Sequence, residues 1–140
     1  MQASHRVSRL VEFRETDAAG IMHFASFFAF MEEAEHALLR SLELSVVQRM
    51  GEQTISWPRA AASCEYHAAA KFEEQLDIDV SIERLGRKSV TYLFKFTRDG
   101  EPIATGRMTS VCCVIKEHEP PRSIEIPALF LEKLRPFVTP

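Results

Sequence analysis

The sequence predicts an α+β fold in which an antiparallel sheet wraps around one long central helix. Two patterns carry this expectation. From about Ser26 to Leu42, apolar residues recur at i, i+3, i+4 and i+7, the period of a helix. From Leu76 onward, runs of alternating apolar and polar residues are separated by turn residues, the pattern of strands with one wet face. A strand, a long helix and then strands joined mostly by short turns make an α+β order.

Val7 to Phe13 is β-leaning and is expected as the first strand, ended by Arg14-Glu15-Thr16-Asp17. Ala18-Ala19-Gly20 supplies a loop, in which Gly20 permits backbone angles that other residues resist. In the helix that follows, Phe27, Phe30, Met31, Ala34, Ala37 and Leu38 share one face, and Phe28, Leu39 and Leu42 widen it. Glu32, Glu33, His36, Arg40 and Glu43 collect opposite. So broad an apolar arc predicts a helix covered on most sides. Ser26 is a candidate N-cap, with Ala25 and Phe24 as alternative starts of the turn. Glu35 falls between Phe28 and Leu42 on the helical wheel. Burying an unpaired carboxylate is costly. Glu35 is therefore expected to reach the rim, the alternatives being a partner or a polar site.

Leu44 to Gln53 is ambiguous, a short second helix ended by Gly51 being one reading. Ile55-Ser56-Trp57-Pro58 reads as a connection, because Pro58 pushes Trp57 towards extended geometry. Trp57 is expected to be packed rather than to line a pocket. Ala60 to His67 reads as a strand, followed by a loop through Ala68 to Glu74. Leu76, Ile78, Val80 and Ile82 then alternate with Asp77, Asp79, Ser81 and Glu83. Gly86 marks a break before a second alternating run, Val90, Tyr92, Phe94 and Phe96. Asp99-Gly100 is a hairpin turn signal. Ile103 to Ile115 is expected as a last long strand, ended by Glu119-Pro120-Pro121. Ile126-Pro127 opens a short C-terminal helix through about Leu134. With no internal repeat or low-complexity tract, residues 1–140 are expected to form a single domain.

Several function classes are excluded by composition. A net charge of −3 gives no basic footprint, so no nucleic-acid partner is expected. No apolar run approaches the roughly 20 residues that span a bilayer, and no secretory signal is visible, so a cytoplasmic protein without membrane partners is expected. The three cysteines, Cys64, Cys112 and Cys113, read as reduced core residues. The five histidines lack metal-ligand spacing, and no G-x-S-x-G elbow or phosphate-cradling glycine loop occurs. No metal and no cofactor are expected.

What remains is Asp17 just before a helix start. A helix N-terminus offers unpaired N–H groups and a positive dipole end. Aimed at a carbonyl, such N–H groups stabilise the oxyanion formed on attack. A carboxylate beside them can attack a thioester or activate water against it. The residues alone equally allow Asp17 to be an ordinary turn or cap residue.

The run Thr16-Asp17-Ala18-Ala19-Gly20-Ile21-Met22-His23-Phe24-Ala25-Ser26, continuing through Phe27 to Met31-Glu32-Glu33-Ala34, resembles the signature of the 4-hydroxybenzoyl-CoA thioesterase family. The resemblance continues through Phe72-Glu73-Glu74-Gln75-Leu76, Leu85-Gly86-Arg87-Lys88-Ser89-Val90 and Ile126-Pro127, spanning nearly the whole chain. It implies the hotdog fold, with an antiparallel sheet around one helix. It also implies an acyl-CoA thioesterase releasing free acid and CoA. By position, Asp17 matches the nucleophile or general base, the N–H of Phe24 matches the oxyanion donor, and Gly20 allows the close turn between them. Arg87, Lys88 and Ser89 match a region that meets the phosphates of CoA, and Arg122 is a further candidate there. Cations and a hydroxyl suit a phosphate, although an exposed Arg-Lys turn is also commonly just solvated.

Two departures stand out. Many bacterial members carry Tyr-His where this chain has His23-Phe24, so the His seven residues after the Asp is absent. The usual Asn-Tyr is Ser26-Phe27. The Ala-Ala-Gly turn and the Phe-ended pair are closer to the aryl-CoA members, which points to an aryl or medium-chain acyl group. The resemblance also implies a homodimer or homotetramer with active sites at the subunit boundary. Alternative readings are a hotdog acyl-thioester dehydratase or hydratase and a non-catalytic acyl-CoA-binding module.

Overall fold

The structure is a computed structural model that describes residues 3–140. Strand β1 spans His5–Leu10, starting earlier and ending earlier than the sequence suggests. The rest of the expected strand turns into a 3-10 helix, Phe13–Glu15. The cause is local: the Glu15 carboxylate accepts the N–H of Glu12 at 2.8 Å and closes the chain into a turn. Helix α1 is Ser26–Ser41. It ends in a left-handed residue, Glu43 at φ 60°, with the Leu44 N–H donating to Leu39 O.

Short strands β2, Gln48–Met50, and β3, Gln53–Ser56, follow and form a hairpin. This corrects the helical reading of Leu44–Gln53 and the reading of Ile55-Ser56 as connection. β3 pairs non-locally as well, with the strand at Cys113–Ile115, and so small a segment carries too little periodicity to reveal it. Four longer strands are β4, Arg59–Tyr66; β5, Gln75–Leu85; β6, Ser89–Arg98; and β7, Glu101–Val111. β6 and β7 meet at Asp99-Gly100, both at positive φ, as that dipeptide predicts.

The expected last strand is broken at Cys112. Its N–H donates to Lys88 O and its carbonyl accepts the Ile124 N–H, which takes it out of the ladder. The chain resumes as β8, Cys113–Ile115, and returns as β9, Arg122–Ser123. Helix α2 is Ala128–Leu134, with Pro127 at its N-cap.

One sheet has the order β1-β5-β6-β7-β4 and is antiparallel throughout. The other has the order β2-β3-β8-β9. The chain passes between them side by side at Trp57-Pro58 and at Cys112, so the second sheet curls on from the first. This is the hotdog arrangement. Met31, Ala34 and Leu38 of α1 are buried with Ile78, Val80, Phe94 and Phe96 of the large sheet. Gly106 of β7 allows the close approach, because a Cβ there would overlap Met31 Sδ. Trp57 is buried and meets Phe130 edge-on at 5.4 Å, so it is packed as expected.

Two expectations about α1 are corrected. The sheet covers one side of the helix and leaves Ala29 exposed and Phe28 and Leu42 only half-buried, because it curves without closing. Glu35 does not reach the rim. It is 1% exposed and takes two hydrogen bonds from Arg59, which offsets the cost of burial. Among the described residues, no helix is long and apolar enough to cross a membrane.

Candidate active site

The segment from Glu15 to Ser26 is fixed almost entirely by backbone contacts. The Asp17 N–H donates to Ile21 O and the Gly20 N–H to Asp17 O, each at 2.9 Å. Thr16 and Met22 bridge in antiparallel fashion, closing a tight loop. Gly20 sits at φ +80°, where a side chain would be strained. Asp17 Oδ1 accepts the Ala19 N–H at 2.9 Å, an Asx turn. Its second oxygen has no partner among the described residues. The turn bond therefore leaves that oxygen uncommitted.

At the helix start, the N–H groups are taken one after another. Met22 donates to Ala70 O at 2.7 Å, His23 to Glu15 O at 2.7 Å, Ala25 to His23 Nδ1 at 3.2 Å and Ser26 to His23 O at 2.9 Å. The N–H groups of Phe24 and, inside the first turn, of Phe27 have no acceptor among the described residues. Ala25 occupies the N-cap without a side-chain bond, and Ser26 is the first helical residue. The Ser26 hydroxyl donates instead to Glu15 O at 3.2 Å, so the capping reading of Ser26 is replaced by a tie to the preceding turn.

That turn is anchored by Glu15, which is 7% exposed. Its carboxylate accepts from Arg14 Nε at 2.9 Å and from Arg9 Nη1 at 3.3 Å as well as from Glu12. Burial alone would push this carboxyl up, but the Glu12 N–H and the two guanidinium groups outweigh it and hold it below its ordinary range.

Asp17 and Phe24 line one cleft of about 430 Å³, together with Phe27, Tyr66 and the small side chains of Ala68, Ala69 and Ala70. Tyr66 stands edge-on to Phe27 at 5.1 Å, and Phe27 meets Phe96 at 5.2 Å. The Tyr66 hydroxyl donates to Phe24 O at 2.9 Å. Tyr66 and the three alanines are the site residues that sequence reasoning missed. The run of small residues after a strand is the one signal that pointed to open space. His67 also borders the cleft, but its Nε2 lies 2.9 Å from Thr105 Oγ1. No group of three metal-ligating side chains comes together among the described residues.

Arg87, Lys88 and Ser89 lie elsewhere. They form the turn between β5 and β6, closed by the Gly86 N–H on Ser89 O. Arg87 is exposed and pairs with Glu125 at 2.9 Å, and Lys88 is exposed with no ionic partner among the described residues. Ser89 pairs with Val111 beside the Arg59 end of β4, whereas the cleft lies at the Tyr66 end. At the rise of a strand those two ends are about 20 Å apart. One chain therefore does not bring its Arg87–Ser89 turn to its own Asp17. Arg122 is exposed on β9 and lies with Lys116 in a separate surface hollow.

The family model described as the thioesterase-like superfamily matches residues 11–134. A protein of Aquifex aeolicus named a putative esterase is 30% identical over 129 residues, covering 91% of this chain and 94% of its own. The acyl-CoA thioester hydrolase YbgC of Escherichia coli is 25% identical over 114 residues, covering 81% and 84%. Among solved structures, a gentisyl-coenzyme A thioesterase superposes with a TM-score of 0.81 at 26% identity, covering 93% of this chain and 99% of that one.

Proposed function

The chain belongs to the thioesterase-like superfamily and is an acyl-CoA thioester hydrolase, and we propose that its chemistry is done by Asp17 and the N–H of Phe24 on an aryl or medium-chain acyl-CoA. The observation that carries this reading is that one cleft is lined by both Asp17, whose carboxylate has one oxygen without a partner among the described residues, and Phe24, whose backbone N–H has no acceptor among them. The thioester carbonyl oxygen lies against the Phe24 N–H at the N-terminus of α1, where the helix dipole favours the charge that develops. Asp17 either deprotonates a water that attacks the carbonyl carbon or attacks it directly. The carbon–sulfur bond breaks and CoA leaves as the thiolate; on the direct route the acyl–Asp17 anhydride so formed is then hydrolysed by water, which releases the acid and restores the carboxylate. A thiolate is a competent leaving group, so no metal or redox cofactor is required. Phe27, Tyr66 and Ala68–Ala70 offer the acyl group a largely apolar lining.

The phosphates of CoA are held by Arg87, Lys88 and Ser89 of a second copy of the chain. Support comes from β4, an edge strand whose Ala60, Ala61, Ala62 and Ser63 are all exposed. An open edge of small residues invites pairing. Antiparallel pairing of two β4 edges sets the Tyr66 end of one chain beside the Arg59 end of the other, next to its Arg87–Ser89 turn. The active unit is then a homodimer, alone or within a homotetramer.

The dehydratase reading needs an acid–base imidazole in the cleft. The ring nitrogens that contact protein are turned to Ala25 in His23 and to Thr105 in His67.

The test is release of free thiol from benzoyl-, hydroxybenzoyl-, dihydroxynaphthoyl- and straight-chain acyl-CoAs, with wild type and Asp17→Asn in parallel. Turnover is expected to fall at least about a hundredfold in the variant, as for loss of a base or nucleophile. Wild-type turnover in a folded Asp17→Asn protein returns Asp17 to a turn residue.

A further inference from the structure

We propose that His23 and Tyr66 are positioning residues that clamp the Phe24–Ala25 peptide from both sides and so keep the Phe24 N–H open towards the thioester carbonyl. The proposal rests on the reading that this N–H holds the oxyanion.

Two consecutive peptide units carry the geometry. In the unit joining Phe24 to Ala25, the carbonyl accepts the Tyr66 hydroxyl at 2.9 Å and the N–H donates to His23 Nδ1 at 3.2 Å. Both polar ends are taken, by two side chains from different parts of the chain. In the unit joining His23 to Phe24, the carbonyl accepts the Ser26 N–H at 2.9 Å, while the N–H has no acceptor among the described residues. A trans peptide directs its N–H opposite its C=O. Holding the carbonyl of that unit and both ends of the next therefore sets the direction of the one N–H left over. Loss of either side-chain bond frees the second unit to rotate about its flanking single bonds, and the donor direction with it.

The chemistry of the two side chains suits the task. An N–H donates to His23 Nδ1, so that nitrogen holds a lone pair and the neutral ring carries its proton on Nε2. The imidazole also lies tilted against the Phe24 ring, centroids 4.7 Å apart and planes at 31°, a contact that favours this orientation. Tyr66 must stay protonated to donate. Although the residue is exposed, partial desolvation of its hydroxyl, with the neighbouring Cys64 thiol, pushes its phenol up to about 12, so it remains a donor at neutral pH. Its ring is fixed edge-on against Phe27 of α1, which ties the end of β4 to the start of the helix. The two residues thus couple the strand and the helix to the direction of one N–H.

Neither residue contacts the reacting atoms in this scheme, so the readout must separate positioning from binding and folding. Steady-state kinetics on the best acyl-CoA of the panel are compared for Tyr66→Phe, His23→Ala, His23→Asn and Asp17→Asn, with exchange of the Ala25 amide followed by NMR. Tyr66→Phe and His23→Ala are each expected to lower kcat about 10- to 100-fold, less than outright loss of an oxyanion donor, with KM changed less than about threefold. His23→Asn is expected to recover kcat, because an Asn carbonyl accepts the same N–H two residues on. Ala25 exchange should speed up in His23→Ala and return towards wild type in His23→Asn. Wild-type kcat in Tyr66→Phe and His23→Ala, with Asp17→Asn inactive, overturns the clamp and leaves Asp17 in its role. Equal loss in His23→Ala and His23→Asn also overturns it. If His23→Ala does not fold, Tyr66→Phe decides by the same kcat criterion. An active Asp17→Asn protein overturns the underlying reading instead.

Discussion

Arg59 Nη1 donates to Glu35 Oε2 at 2.7 Å and also to Ser110 Oγ at 2.8 Å, joining the first residue of β4 to the buried middle of α1 and to β7. Its second terminal nitrogen reaches the other Glu35 oxygen and, at 3.5 Å, Glu32. Burial pushes the Glu35 carboxyl up, while the guanidinium bonds pull it back. The pair fixes where the helix lies relative to the edge strand, and that edge is where a second copy is proposed to join.

Removing Arg59 leaves the buried Glu35 carboxylate without its guanidinium partner. Arg59→Ala is expected to cost about 3–5 kcal/mol, measured as the shift in urea unfolding. The double replacement Glu35→Leu with Arg59→Met should cost less than Arg59→Ala alone, because no charge is then left buried. A double variant at least as unstable as the single would contradict this.

Gly106→Ala places a methyl against Met31, which is fully buried beneath α1. Overpacking of this kind is expected to cost about 1–3 kcal/mol. Adding Met31→Ala should give a double variant less destabilised than the sum of the singles, since the methyl then enters vacated space. Strict additivity in denaturant midpoints would place the strain elsewhere.

Acid should loosen the turn before Asp17. The Glu15 carboxyl is held below its ordinary value of 4.5 in the folded chain. A lowered folded value contributes stability that is complete above the unfolded value and lost as pH falls through the folded one. Glu15→Gln is therefore expected to destabilise by about 1–3 kcal/mol at about pH 7, with the gap to wild type closing as pH falls below the ordinary carboxylate range and the folded-state carboxyl takes up its proton. A gap that persists unchanged into acid would show that packing, not charge, is what the Gln variant lost.

A cleft served by the other subunit's turn predicts complementation in trans. Asp17→Asn chains and Arg87→Ala/Lys88→Ala chains should each hydrolyse poorly at low substrate. Refolded together in equal amounts, they should regain roughly a quarter of wild-type sites, since half the dimers are mixed and each mixed dimer has one intact site. No gain over the separate proteins would place the turn and the cleft in the same subunit or remove the turn from CoA binding. With the turn variant alone, the Michaelis constant should rise more than turnover falls.

Much of this molecule was legible in its residues. The periods of α1, β5 and β6 gave their type and buried faces, because one-sided burial imposes period 3.6 or 2 on any chain. Asp99-Gly100 announced its hairpin through its tolerance of positive φ. The resemblance in Thr16–Ala34 carried the family and singled out Asp17, Gly20 and Phe24. Tertiary contacts decided the rest. Glu35 is buried because Arg59, distant in sequence, meets it, and no helical wheel contains that partner. β2, β3 and β8 are strands because they bind one another, not because their own residues alternate. The Phe24 N–H is open only because each neighbouring N–H found an acceptor, on Ala70, on Glu15 and within His23. Local pattern reports which face of an element is buried. Which polar group is left over depends on every partner the folded chain brings within reach, and those distances exist only in the tertiary structure.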